Sequence, residues 1–254
     1  MKIKGIIFDI DGTLISTNEL IFASFNYVTN KYLNKIFSND EIIGMFGPTE
    51  DYILKKMMGD KYEIARKDYF DYYRNNHDIM TKKVDGMYEL IKKIKEKNIF
   101  LSIYTGKGRT STEITLEKLS IKNFFDLIIS GDDVEIHKPS PEGITIFLEQ
   151  FSLLPENVLM VGDAPADIYA ARNANVKVAS VLWDSYAEKE VRELGSDYYF
   201  STVDEFSDFI FSNIKLQTKW VNEGNSWFYL LLRFICDNII TSITNRSKCV
   251  MINN

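Results

Sequence analysis

Two carboxylates, Asp9 and Asp11, close a short apolar run, Ile6-Ile7-Phe8, and Gly12 and Thr13 follow directly. Acids at the end of a buried strand are costly unless they are paired, hydrated or bound to a metal. Side chains two apart on an extended segment point the same way, so Asp9 and Asp11 can face one small ligand. A second acidic pair, Asp163 and Asp167, lies in Val161-Gly162-Asp163-Ala164-Pro165-Ala166-Asp167. Spaced across a loop that enters a helix, these two can converge on one hard divalent cation. Mg²⁺ takes such oxygen ligands, commonly one or two carboxylates with phosphate and water. Thr105 and Gly106 end a third apolar run, Leu101-Ser102-Ile103-Tyr104. A hydroxyl and the bare N–H groups around a glycine suit phosphate oxygens; a threonine that only caps the next helix is the other reading. Lys138 stands in His137-Lys138-Pro139-Ser140-Pro141-Glu142, a proline-stiffened loop before a helix.

The elements that must position these residues follow from periodicity. From residue 84 onward helices and strands alternate: helix 87–97, strand 99–104, helix 110–119, strand 127–130, helix 141–151, strand 158–161, helix 166–173, strand 176–182, helix 187–194 and strand 198–200. Such a run predicts a doubly wound, Rossmann-like α/β core, a parallel sheet with helices on both faces. Ligands of these sheets sit outside the carboxyl ends of the strands, where each acid and hydroxyl singled out above falls. Between Thr13 and Val84 no strand is expected. Helical patterns at 18–33, 40–46, 49–58 and 62–75, separated by Gly44, Gly47-Pro48 and Gly59-Asp60, make that segment an all-helical insert.

The chain has 254 residues, 45% hydrophobic and 26% charged, which is ordinary for a globular protein with one α/β core and a smaller second unit. With 30 basic against 36 acidic residues it lacks the basic stripes that nucleic acid requires, so no nucleic-acid partner is expected. Its two cysteines, Cys236 and Cys249, lie far from the other candidate positions and suggest neither a disulfide framework nor a zinc site; a reducing cytoplasm is expected. No signal peptide is expected ahead of the first strand. The lysines 92, 93, 95 and 97 read as a solvated helix face, and Arg109 and His77 as surface residues.

Asp9-Ile10-Asp11-Gly12-Thr13, Thr105, Lys138 with Pro139 and Pro141, and Gly162-Asp163 with Asp167 resemble, in order, the four motifs of the haloacid dehalogenase superfamily. The resemblance spans about residues 3–213 and implies a phosphatase. It implies that Asp9 is the nucleophile and Asp11 the general acid and base. Mg²⁺ would be held by the Asp9 carboxylate, the backbone carbonyl of Asp11 and Asp163, with Asp167 in support. Thr105, Gly106 and Lys138 would hold the transferring phosphoryl group of a small phosphorylated metabolite. The dehalogenase branch lacks the second acid, so Asp11 speaks for phosphate chemistry.

The insert resembles the small cap of the subgroup with phosphoglycolate phosphatases, pyrophosphatases and hexose phosphomutases. The implied division is a core of residues 1–14 with 84–214, a cap of 15–83, and an extension of 215–254. Mutases of this kind carry a cap histidine where Ile21 stands, and phosphonate-cleaving relatives need a cap lysine. Phe46-Gly47-Pro48-Thr49-Glu50-Asp51 is expected to face the site, its acids serving the helix dipole, with Lys55, Lys56 and Arg66 as candidate anion binders. Residues 227–243 contain Arg233, Asp237 and Asn238, which excludes a membrane span of roughly 20 nearly uncharged residues. A C-terminal helix docked on the core, or on a second copy in a homodimer, is expected, with an amphipathic membrane contact as the weaker alternative. The rival from another class is a non-catalytic interaction protein that uses this tail.

Overall fold

The first strand, β1 (Gly5–Phe8), is buried along its whole length and has apolar residues on both faces. Ile6 and Phe8 point into one core layer and Ile7 into the other. That placement requires helices above and below, and a neighbour on each side to satisfy the backbone. The neighbours are β4 (Phe100–Tyr104) and β6 (Val158–Gly162), both parallel to β1, with Phe8 opposite Ile103 and Val161. With β5 (Leu127–Ile129), β7 (Lys177–Val181) and β8 (Tyr198–Phe200) they complete a six-stranded parallel sheet of order β5-β4-β1-β6-β7-β8. The computed structural model describes residues 2–214. The tail 215–254, and the docked helix expected there, lie outside the described residues.

Helices cover both faces, as the alternation predicts. One layer takes α5 (Met87–Lys95), through Met87, Leu90, Ile91 and Ile94, and α10 (Val203–Asn213), through Phe206 and Ile210. The other takes α7 (Glu142–Gln150), α8 (Pro165–Asn173) and α9 (Glu188–Leu194). The strong amphipathicity of α5 places Lys92 and Lys93 on the face opposite the buried stripe, while Lys95, on its flank, is half-buried and pairs with Asp126 at 2.6 Å. Among the described residues no helix is long and apolar enough to cross a membrane.

The insert consists of α1 (Asn18–Leu33), α2 (Asn39–Ile43), α3 (Glu50–Met58) and α4 (Tyr62–Met80). Leu20, Phe25, Val28, Leu54, Tyr69 and Tyr73 belong to a separate apolar cluster. This cluster also takes in Ile114 of α6 (Arg109–Lys118), the helix after β4. Small hydroxyl residues on α6 let α4 come close: Tyr73 Oη lies 3.0 Å from Thr115 Oγ1, and Arg66 Nη2 donates to Thr110 Oγ1 at 3.0 Å. One feature departs from the periodicity. The chain leaves and re-enters the core as a two-stranded antiparallel ribbon, β2 (Ile15–Ser16) with β3 (Lys82–Lys83), too short to leave a pattern of period two.

His77 is not a surface residue. α4 continues past Asn75 to Met80, and His77 extends its buried stripe Tyr69, Phe70, Tyr73 at helical spacing. Neither ring nitrogen has a hydrogen-bond partner, and burial pushes the imidazole down to about 4. An imidazole harder to charge in the folded than in the unfolded chain contributes stability above its ordinary value of 6.5, which is lost as the pH falls from 6.5 toward 4. The expected loss from this group between pH 7 and pH 4.5 is about 2–3 kcal/mol. Denaturant titrations across that range should show this part of the pH dependence missing in His77→Phe; equal slopes for variant and wild type would refute it.

Candidate active site

Three neighbouring strands of the sheet end at one place. Asp9 follows β1 and extends its ladder, its N–H donating to Val161 O at 2.9 Å. Thr105 follows β4 in the same way, donating to Ile129 O at 3.1 Å, and Asp163 follows β6. These side chains therefore start from backbone that is fixed by the sheet, at the carboxyl edge where the sheet's connections diverge to either side.

Asp9, Asp163 and Asp167 are all buried, and one carboxylate oxygen from each lies within 4.8 Å of the others. Lys138 meets two of them, with Nζ 3.1 Å from Asp9 Oδ1 and 2.6 Å from Asp167 Oδ1. Asp167 also accepts the Ala164 N–H through Oδ2 at 3.1 Å, which ties it to the start of α8. Asp163 is held by Thr13 Oγ1 at 3.3 Å, and its backbone carbonyl accepts from Ser185 Oγ at 2.6 Å. Two glycines make room for this packing. A Cβ on Gly12, which sits at φ +74°, would stand 2.2 Å from Asp163 Oδ2, and one on Gly162 would stand 2.2 Å from Asp167 Oδ2.

One lysine does not balance three acids. Burial, with Asp167 and Asp9 adding to it, pushes the Asp163 carboxyl well above the usual carboxylate range. Burial raises Asp167 to about 6 against the pull of Lys138. Burial alone would lower Lys138, but Asp167 and Asp9 hold its ammonium firmly charged. Asp163 Oδ2 is buried with no hydrogen-bond partner. An all-oxygen set of three convergent carboxylates with one unpaired buried oxygen fits a hard divalent cation such as Mg²⁺.

Asp11 stands apart from this cluster and is partly open to the cleft. Thr17 Oγ1 donates to its Oδ1 at 2.5 Å, and Lys107 Nζ lies 3.1 Å from its Oδ2. Burial raises its pKa, while Lys107 and Thr17 act the other way. Lys107 is itself fully buried and lies 3.4 Å from Glu50 Oε1 and 5.1 Å from the centre of the Tyr73 ring. Glu50, the first residue of α3, also accepts the Gly108 N–H at 2.7 Å and Ser111 Oγ at 2.7 Å. The Phe46–Asp51 loop does face the cleft, which it lines with Phe46, Gly47, Pro48 and Glu50. Glu50 grips the core across the cleft, where a role toward the dipole of its own helix was expected.

All the expected site residues line one cleft except Asp167, which lies behind Lys138. The expected anion binders of the insert do not take part. Lys55 and Lys56 are exposed, and Arg66 is committed to Asp51 through Nε at 2.6 Å and Nη2 at 3.0 Å. Arg109 pairs with Asp133 and donates to Ile128 O at 3.1 Å, away from the cleft. Lys107, Thr17, Asn18 and Tyr186 were missed by sequence reasoning, as was the grip of Glu50 on the core. A lysine between two glycines directly after a strand end was a legible signal for Lys107; nothing in the local sequence marked the others.

The profile of the haloacid dehalogenase-like hydrolase family matches residues 6–181. The chain is 32% identical over 210 residues to pyrophosphatase PpaX of Bacillus mycoides, covering 83% of this chain and 96% of that one. It is 34% identical over 183 residues to pyrophosphatase PpaX of Bacillus cereus, covering 72% and 85%. Its fold is similar to that of a predicted phosphoglycolate phosphatase from Haemophilus somnus, with a TM-score of 0.73, 20% identity, and 84% and 98% of the two chains covered. CbbY from Rhodobacter sphaeroides, solved in complex with phosphate, superposes with a TM-score of 0.67 at 20% identity over 79% and 94%. By the family match, the extent of the relatives and a sheet that brings the four motifs to one edge, this chain belongs to the haloacid dehalogenase-like hydrolase family.

Proposed function

We propose that this protein is a Mg²⁺-dependent phosphatase that hydrolyses a small phosphate monoester or pyrophosphate through an aspartyl-phosphate on Asp9. The observation that supports this most is the convergence of Asp9, Asp163 and Asp167 on one point beside Lys138, with Asp163 Oδ2 left unpaired. Asp9, Asp163 and the main chain at Asp11 would hold the cation, and Asp167 would steady Lys138. A cation there neutralises the carboxylate cluster and the incoming phosphate, and withdraws charge from phosphorus.

The rest of the mechanism belongs to side chains. An Asp9 carboxylate oxygen attacks phosphorus as the bond to the leaving oxygen breaks, and Asp11 gives that oxygen its proton. A carboxyl whose pKa is raised by burial suits this role at the start of the cycle. Once deprotonated, Asp11 keeps the Lys107 ammonium 3.1 Å away as its counter-charge. It then takes a proton from the water that attacks the aspartyl-phosphate, freeing phosphate and restoring Asp9. Thr105, the N–H groups around Gly106, and Lys138 hold the phosphoryl oxygens through the in-line transfer. The insert lines the cleft with Ile21, Phe25, Phe46 and Ile53, an apolar wall that would limit the access of bulk water to the reacting groups.

The neighbouring activities find less support. Ile21 lines the cleft where the mutase resemblance calls for a histidine, and no insert lysine lines it for phosphonate chemistry. Asp9, Asp11, Lys138 and Asp163 together in one cleft weigh against a binding protein without activity. Residues 1–14 with 84–214 form the catalytic core in this reading, and 15–83 the cap.

Phosphate release from a panel of small esters and pyrophosphate should require Mg²⁺ and fall by about 10³-fold or more in Asp9→Asn. Release that survives this substitution or chelation of the metal would overturn the reading. Lys138→Met leaves Asp9 and Asp167 buried without their partner and should lower the stability of the metal-free protein by about 3 kcal/mol. Thermal unfolding with and without Mg²⁺ tests the same point: the cation should raise the variant's midpoint more than the wild type's, and equal shifts would count against Asp9 as a ligand.

A further inference from the structure

The cations that line the cleft, among the described residues, are Lys107 and Lys138. Lys138 is engaged by Asp9 and Asp167 at the phosphoryl end. The cationic side chain left to receive a second anionic group of a substrate, such as a carboxylate or the other phosphoryl group of pyrophosphate, is therefore Lys107. That ammonium lies between two acids, 3.1 Å from Asp11 Oδ2 and 3.4 Å from Glu50 Oε1, with its side chain fully buried. When Asp11 carries the proton it is to donate, Glu50 alone still cancels the lysine's charge. When Asp11 is ionised, the trio is net negative. In neither state does this part of the cleft offer an unbalanced positive charge.

Glu50 cannot easily swing away. Its Oε2 accepts the Gly108 N–H and its Oε1 the Ser111 hydroxyl, both at 2.7 Å, so leaving would strand buried donors. Away from the phosphoryl end, where Thr105 stands, the wall is apolar apart from the neutral polar side chains of Asn18 and Tyr186. The expected anion binders of the insert face elsewhere: Lys55 and Lys56 are exposed, and Arg66 is bound to Asp51.

Building on the phosphatase reading, we infer that the group released with phosphate is a compact, uncharged alcohol, and that Glu50 sets this preference by neutralising Lys107 against a second anionic group. The names of the relatives, pyrophosphatase PpaX, describe a leaving group of the opposite kind, which in this cleft would meet the carboxylate of Glu50.

The test compares two esters of the same size that differ in one group: 2-hydroxyethyl phosphate and 2-phosphoglycolate, with pyrophosphate as a third. The wild type should show kcat/KM at least about tenfold higher for the hydroxyethyl ester, since one uncompensated charge in a partly buried site is worth that much or more. Glu50→Gln keeps an oxygen for the Gly108 N–H while freeing the charge of Lys107, and should move the ratio at least about tenfold toward phosphoglycolate. Calorimetric binding of the same two esters to Asp9→Asn protein with Mg²⁺ should give the same order of affinity. If no ester is hydrolysed by the wild type, the phosphatase reading fails, while the binding ratio still decides this inference. A wild type that shows no preference, prefers either anion, or fails to bind the uncharged ester overturns it. So does an unchanged ratio in a Glu50→Gln protein whose circular dichroism matches the wild type; if that variant does not fold, the wild-type ratio decides alone.

Discussion

Three carboxylates buried around one ammonium impose the strongest demand on this structure. Like charges in a poorly hydrated space repel, and the chain has to hold them there with rigid backbone. It does so by starting Asp9 and Asp163 from the adjacent central strands β1 and β6, whose ladder continues through the Asp9 N–H. Asp167 is fixed by the first turn of α8, and Gly12 and Gly162 bring the backbone close where any larger residue would collide with an acid. The parallel sheet and its two helical layers can be understood as the scaffold that this arrangement of charge requires.

A second constraint joins the insert to the core. Glu50 reaches across from α3 to the Gly108 amide and Ser111, and Arg66 and Tyr73 from α4 reach Thr110 and Thr115. All of these partners lie on α6 or the residue just before it, and β4 delivers Thr105 to the site immediately upstream. The insert is therefore registered against the same short segment that brings the Thr105 hydroxyl to the cleft. Lys107, within that segment, links the insert's acid to Asp11, so the contact between insert and core and the electrostatics of Asp11 share one side chain.

Much of this arrangement is legible in the order of the residues. The alternation after Val84 implies the parallel sheet because helices and strands of that length have distinct periods. Asp9, Asp11, Asp163 and Asp167 stand out as acids at strand ends and in the loop after one, where burial would be costly, whereas Thr105 and Lys138 gain meaning only from their order among the four motifs. What stays hidden depends on contacts between segments distant in sequence. Glu50 lies in the first turn of a helix, where an acid is favourable on local grounds alone, and its partners are 57 to 61 positions away. Arg66 reads as a free cation because Asp51 sits on another helix. His77 reads as a surface residue because the apolar stripe of α4 runs one turn further than the polar residues Asn75 and Asn76 suggest.

The ribbon of β2 and β3 bears on how the chain reaches this fold. β1 pairs with β4 across the entire insert, Gly5 lying opposite Phe100, a contact that is slow and entropically costly for an open chain to find. With Ile15 held beside Lys83, the two ends of the insert are already neighbours, and the span left to close is much shorter. The cheaper order of events is for the helical insert to form on its own apolar cluster, zip its ends together, and so deliver β4 to β1 as if the two were joined by a short connection. The same ribbon that admits an extra layer over the site thus shortens the folding distance that this layer would otherwise create.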